Sequence, residues 1–296
     1  MADGGSRLAP VAALALNALV WGLSWWPLRV LHEVGVHPLW STAVIYAVVF
    51  GGFTLLRPAA LRELLRTPGL WLLAAAAGMT NVGFNWAVTI GDVVRVVLLF
   101  YLMPAWALLL AWAVLGDKPS GGGLGRLLLA LAGVAIVLDT AGSGLPLPRT
   151  LAEWLALAAG FAFALTNVML RRLQGAAASA RVLAMFGGGM VMAGAVAAVG
   201  TLQGAVAPLP MLAASGWLVA LLLGAAFLAA NLLLQYGASR LPAHTTALIM
   251  LSEVLVSSLS SVALGAAELT LRTLAGGLLI VLAAAWSAWP RRAPAY

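Results

Sequence analysis

From Leu8 to Trp289 the chain is a succession of apolar runs broken by short polar stretches. A helix needs about 20 such residues to cross the hydrocarbon core of a bilayer. Ten runs meet that length, at roughly 8–30, 39–56, 69–90, 93–115, 122–139, 151–173, 180–202, 211–236, 243–264 and 270–289. A membrane β-strand alternates polar and apolar over about ten residues, and these runs do not. The expected fold is therefore an all-α membrane protein of ten transmembrane helices. The connections are too short to hold a soluble domain. Composition agrees: 63% of residues are apolar and 8% charged, mean hydropathy is +1.04, and soluble domains carry about a quarter charged residues.

The formal charge of +7 does not point to nucleic acid. The Arg residues stand singly or in pairs at the ends of apolar runs, as membrane-flanking charges do. There is no Cys, which excludes disulfides, thiol catalysis and Cys-ligated metals. The opening "MADGGSRLAPVAALALNALVWGLSWWPL" has an apolar run longer than the roughly 7–15 residues of a signal-peptide core. It carries Trp21, Trp25 and Trp26, so the expectation is a retained first span.

Ten spans put both termini on one side. Arg7, Arg57, Arg62, Arg66, Lys118, Arg126, Arg171, Arg172, Arg181, Arg240, Arg291 and Arg292 fall on that side. Arg29, Arg95, Arg149 and Arg272 fall on the other. The cytoplasmic side carries the excess, so both termini are expected in the cytoplasm, with the chain in a bacterial inner (cell) membrane.

The two halves resemble each other. "VRVVLLFYLMPAWALLLAWAVLG" (94–116) aligns without gaps on "AHTTALIMLSEVLVSSLSSVALG" (243–265), a shift of 149 residues that sets Pro104 on Glu253. Asn81 and Asn85 correspond to Asn231 and Gln235, both pairs at i, i+4. Residues 1–139 and 151–296 each hold five spans, joined by a Gly/Pro-rich linker at 140–150. An odd number of spans inverts the second copy, and inverted repeats typify secondary transporters with a midplane site.

Trp21-Gly22 early in the first span, Leu99 with Pro104 in the fourth, and Leu115-Gly116-Asp117 after it resemble the drug/metabolite transporter superfamily, EamA type. The aromatic-rich first half is most similar to YddG-type aromatic amino acid exporters. The second half departs from the pattern, with Ser252-Glu253 in place of the proline and the acid displaced to Glu268. The resemblance implies export of small metabolites by alternating access, with aromatic amino acids first. Other amino acids, nucleosides or cationic drugs are the alternatives. The implied partners are a small-molecule substrate and the lipid bilayer, with no cofactor.

Polar groups inside the spans are the candidate site. Asn81 and Asn85 share a helix face, as do Asn231 and Gln235. They form either a polar lining for substrate or interhelical glue. Trp21, Trp25, Tyr101 and Phe163 lie deep and would wall an aromatic pocket, and Asn167 shares a face with Phe163. Lipid-facing or packing roles are the competing reading of each. Trp71, Trp217, Trp286 and Trp289 read as the interfacial belt. Pro104 bends its helix as a static kink or a hinge. Arg95 and His244 each open a helix, by snorkelling or as gate residues. Asp139 and Glu153 flank the linker and read as solvated. Glu253 is the one acid of its span. It is expected to face the interior and to stay protonated as a hydrogen-bonding anchor, to carry protons or a cationic group, or to face a wet cavity.

The chain reads as a transporter and not an enzyme. His32, His37 and His244 are scattered, so no metal motif forms, and there is no phosphate-binding loop to draw on ATP. A non-transporting membrane scaffold is the remote alternative.

Overall fold

The computed structural model describes residues 4–115, 121–138, 147–211, 213–238, 240–241 and 249–288. Among these the secondary structure is helical, with no strand. The helices are α1 (Gly4–Leu23), α2 (Trp25–Glu33), α3 (Pro38–Leu56), α4 (Pro58–Arg66), α5 (Pro68–Ile90), α6 (Val93–Phe100), α7 (Met103–Leu115), α8 (Gly121–Leu138), α9 (Leu151–Arg172), α10 (Ala178–Leu202), α11 (Ala214–Ala238), α12 (Ser252–Ala263) and α13 (Leu271–Ala288).

Among the described residues, seven helical stretches are long and apolar enough to cross a membrane: Leu8–Glu33, Pro38–Leu56, Val93–Leu110, Gly121–Leu138, Leu151–Arg172, Ala178–Leu202 and Ala214–Gly237. Of the other expected spans, α5 is long enough, but Thr80, Asn81 and Asn85 dilute its apolar character. The described parts of the last two, Ser252–Ala263 and Leu271–Trp286, are apolar but shorter. Leu128, Val191, Leu222, Leu259 and Leu278 stand outward, each more than half exposed. Large apolar side chains exposed on so many helices suit hydrocarbon, not water. The chain is a multi-pass membrane protein.

Local chemistry explains the breaks. Pro38, Pro58 and Pro68 open α3, α4 and α5, at positions where a missing N–H costs nothing. The first span bends at Ser24. Pro27 cannot donate to the carbonyl of Leu23, and Ser24 Oγ donates to Trp21 O at 2.7 Å. Pro104 cannot donate to Phe100, and α6 ends at Phe100, with a turn at Tyr101–Leu102 before α7. Thr150 caps α9 in a reciprocal box with Glu153.

Short α6 is the centre of the bundle. Val93, Val94, Val96, Val97, Leu98, Leu99 and Phe100 are all buried, which is why it has no polar face. Around it α5 packs on α9 and α10, α3 on α10 and α11, α1 on α11 and α12, α6 and α7 on α9, and α8 on α13. Small residues set the closest approaches. A Cβ on Gly133 would lie 2.6 Å from the Gly276 carbonyl oxygen and 2.7 Å from Ile280 Cγ1. One on Gly276 would lie 2.6 Å from the Gly133 oxygen and 2.7 Å from Val137 Cγ2.

Candidate functional site

The amides of α5 face α3. Thr42 and Tyr46, four residues apart on α3, meet Asn85 and Asn81, four apart on α5. Tyr46 Oη donates to Asn81 Oδ1 at 2.7 Å, and Asn81 Nδ2 donates to Ala77 O at 2.8 Å. Asn85 Nδ2 donates to Thr42 Oγ1 at 3.2 Å. Asn85 is fully enclosed, and its Oδ1 has no hydrogen-bond partner. Turning the amide over leaves its NH2 end without an acceptor instead. Asn81 is thus accounted for by interhelical bonding, whereas Asn85 keeps one unused polar end. On α11, Gln235 Nε2 donates to Asn231 Oδ1 at 2.9 Å. Asn231 is buried and Gln235 half-buried.

The aromatic candidates fall into two groups. Trp21 stacks on Phe227 with centroids 4.6 Å apart. Phe227 meets Tyr46 edge-on at 6.0 Å, and Tyr46 lies 5.2 Å from Phe186. Trp21 therefore reaches Asn81 through two rings. In the second group Phe100 contacts Phe84 at 4.7 Å, Phe163 at 5.4 Å and Tyr101 at 6.0 Å. Trp25 is buried and donates through Nε1 to Ser260 Oγ on α12, 3.1 Å away. Asn167 is exposed on α9 and joins neither group. Trp71, Trp217 and Trp286 are exposed, as the belt reading expects. Trp289 lies outside the described residues.

Sequence reasoning passed over Thr42, Tyr46, Phe100, Phe186 and Phe227. The Thr42–Tyr46 spacing, matching that of the α5 amides, was the available signal. The phenylalanines carried none, because a core ring and a lipid-facing ring look alike in an apolar run.

Glu253 is buried in the first turn of α12. Its Oε2 lies 3.1 Å from Tyr101 Oη, which also lies 3.1 Å from Met250 O. Residues 249–250 are helical and Leu251 is a turn, so the chain is interrupted here as it is at Tyr101–Leu102. Val254 N bonds Leu251 O at 3.1 Å, and Ser252 Oγ donates to Ile249 O at 2.7 Å. A hydroxyl and a tightened turn do at Ser252 what the proline does at Pro104. Tyr101 thus bridges the two interruptions. The Pro104 ring and all of His244 lie outside what is described.

At one end of the bundle, charged groups tie elements together. Arg29 on α2 donates to the carbonyls of Val88 (3.1 Å), Gly91 and Ala266 (3.5 Å), with its guanidinium 5.4 Å over the Trp25 ring. Asp92 caps Arg95 N at 2.8 Å and accepts from Glu268 N at 3.2 Å. Arg95 Nε lies 2.6 Å from Glu153 Oε1. The expectation that Glu153 is solvated is corrected. It is buried at 5% exposure, because pairing with Arg95 and capping α9 satisfy both oxygens. Asp139 lies outside the described residues. Arg95 is engaged by this ion pair and does not extend free to the interface. Arg29, Asp92 and Glu268 also line an open cavity of about 370 Å³ with Thr89, Ile90 and Gly265–Ala267. Nearby, His37 Nδ1 accepts from Leu39 N at 3.3 Å. Burial, and then the charge of His32, lower its pKa from 6.5, which keeps the cap neutral and accepting.

Residues 8–139 match the EamA-like transporter family. That stretch is a little under half of the chain and contains Trp21, the α5 amides and the α6–α7 break. The EamA-like match therefore covers Asn81, Asn85, Tyr101 and Pro104, but not Asn231, Gln235 or Glu253. A crystal structure described only as "Crystal structure of protein" shares the fold, with a TM-score of 0.59 at 19% identity over 95% of this chain and 96% of its own. No curated protein matches the chain.

Proposed function

We propose that this EamA-like chain is a secondary transporter of ten spans. On this reading it exports small metabolites, aromatic amino acids first, across the inner membrane by alternating access between the halves 1–139 and 151–296. The observation that carries the reading is Asn85. A buried polar atom left unbonded costs about 1–3 kcal/mol, and Asn85 Oδ1 is such an atom between α3 and α5. A substrate ammonium or indole N–H would satisfy it. Trp21 stacks on Phe227, and Tyr101 and Phe163 pack against Phe100; on this reading these two ring clusters supply flat apolar walls. Asn231 and Gln235 occupy the corresponding place in the second half.

The packing supports the inverted repeat. Let α9 stand for α1–α2, α10 for α3, α11 for α5, α12 for α6–α7 and α13 for α8. The pairing α5–α10 then becomes α11–α3, α5–α9 becomes α11–α1, and α6/α7–α9 becomes α12–α1. The pairs α3–α10 and α8–α13 map onto themselves. All of these pairs are in contact. Tyr101 and Met250, which bond each other, are separated by the same 149 residues as the sequence repeat. Rocking one half against the other at such breaks is how inverted-repeat carriers expose a midplane site alternately.

The test is flux of a labelled amino-acid panel in proteoliposomes of the full chain. Tryptophan is expected to move faster than glycine, and Asn85→Ala to remove most of that flux. Equal flux of glycine and tryptophan would overturn the substrate reading, and no flux of any panel member or of nucleosides would overturn transport of these classes. The charge bias supports cytoplasmic termini. A reporter fused after Tyr296 that is active only in the periplasm would refute that orientation.

A further inference from the structure

Tyr101 Oη has one proton and two oxygen neighbours, Met250 O and Glu253 Oε2, each 3.1 Å away. It cannot donate to both. Both contacts are hydrogen bonds only if Glu253 is a neutral acid that donates to Tyr101 Oη while Tyr101 donates to the Met250 carbonyl. If Glu253 is a carboxylate, Tyr101 must turn its proton toward it, and the Met250 carbonyl loses its donor. We propose that Glu253 binds and releases the proton of a proton-coupled transport cycle, and that Tyr101 is the positioning residue that transmits its charge state to both helix breaks.

The inference rests on the transport reading above and adds the coupling ion. The location carries it. Tyr101 lies in the turn between α6 and α7, and Met250 immediately precedes the turn that leads into α12. One proton therefore controls a hydrogen bond joining the two interruptions. Nothing else among the described side chains competes for it. From α1, Gly22 abuts Val256 and the Glu253 carbonyl, and residues 8–23 hold no titratable group. On α6 the one charge, Arg95, is paired with Glu153. On α2, Arg29 is taken up by carbonyls, and His32 and Glu33 are exposed beyond it. Within α12, Glu253 is the sole ionisable residue.

The proton balance is simple. In the neutral state the chain Glu253 to Tyr101 to Met250 is complete and the packing can seal. When the site opens, the carboxyl proton leaves to water on that side, and one negative charge remains on Glu253. Tyr101 follows that charge and releases Met250. A proton taken up from the other side restores the chain.

Two measurements on the full chain in proteoliposomes decide this. The first is infrared difference spectroscopy through steps from mildly acidic to mildly alkaline buffer. A protonated-carboxyl C=O band should fall as pH rises, be absent in Glu253→Gln, and shift in Tyr101→Phe, which keeps the ring but loses the bridging hydroxyl. The second is accumulation of radiolabelled tryptophan under an imposed pH gradient. With the membrane potential clamped at zero, one-for-one exchange of a proton for zwitterionic tryptophan multiplies the tryptophan gradient about tenfold per pH unit at equilibrium, and Glu253→Gln should abolish that gain.

The proposal is overturned if no titrating band disappears in Glu253→Gln, or if the variant accumulates tryptophan under the gradient as the parent does. If Glu253→Gln fails to fold, the parent band and its response to Tyr101→Phe still decide, and a band unmoved by Tyr101→Phe overturns the bridge. If tryptophan is not carried at all, the substrate reading fails while the infrared arm still judges the proton site.

Discussion

The crossing of α8 and α13 gives a quantitative test of the symmetry between the halves. A methyl added at Gly133 or at Gly276 would meet the opposite glycine's carbonyl oxygen at 2.6 Å, a β-branched side chain at 2.7 Å and that residue's backbone nitrogen at 3.0 Å. Ordinary contact begins near 3.4 Å, so the helices must separate by about 0.8 Å, since backbone cannot turn aside as a side chain can. Overpacking of this kind costs about 1–3 kcal/mol. Ala gains about 0.5–1 kcal/mol over Gly inside a helix. Each single substitution should therefore destabilise by about 0–2.5 kcal/mol, and by the same amount at both sites. Gly51→Ala and Gly52→Ala on α3 meet nothing within 4 Å and should stabilise by the propensity gain alone. Equilibrium unfolding of the purified protein in mixed micelles measures all four. If Gly133→Ala and Gly276→Ala differ by more than about 1 kcal/mol, or either matches Gly51→Ala, the symmetric crossing is wrong.

Other perturbations address the site and the charged end. Asn85→Ala should lower tryptophan flux about tenfold, the loss of one hydrogen bond worth about 1.4 kcal/mol, with an unchanged size-exclusion profile; undiminished flux would assign the amide to packing alone. A double-mutant cycle of Arg95→Gln and Glu153→Gln should give a coupling of about 0.5–3 kcal/mol in stability, and additive losses would mean that the ion pair contributes nothing. For His37, the folded pKa lies below 6.5. The neutral cap on α3 is therefore in place above 6.5, and its contribution is lost as pH falls through the folded value. On mild acidification the parent should lose melting temperature relative to His37→Asn, which caps without titrating; parallel profiles would refute the cap.

Much of the architecture was legible because hydrocarbon leaves few options. Apolar runs of span length can only be helices, and Pro104 marked a bend. Hence a bend at Pro104 was foreseeable, as was an inward-facing Glu253, which is buried. The aligned repeat sets Tyr101 on Met250, and these two residues bond each other. Which polar atoms meet was not legible. Glu153 looked solvated because the sequence says nothing of Arg95, 58 residues earlier, arriving 2.6 Å away. Asn81 and Asn85 looked equivalent, yet only the tertiary structure gives Asn81 a tyrosine and leaves Asn85 Oδ1 alone. The sequence by itself determined that the chain is helical and multi-pass and that it bends at Pro104, because these follow from local backbone chemistry and from apolar length. The tertiary structure decided which of several identical-looking amides, rings and acids are bonded and which keep an unused polar end. That depends on the hydrogen-bond partner a neighbouring helix brings, and a partner a hundred residues away leaves no mark on the local pattern.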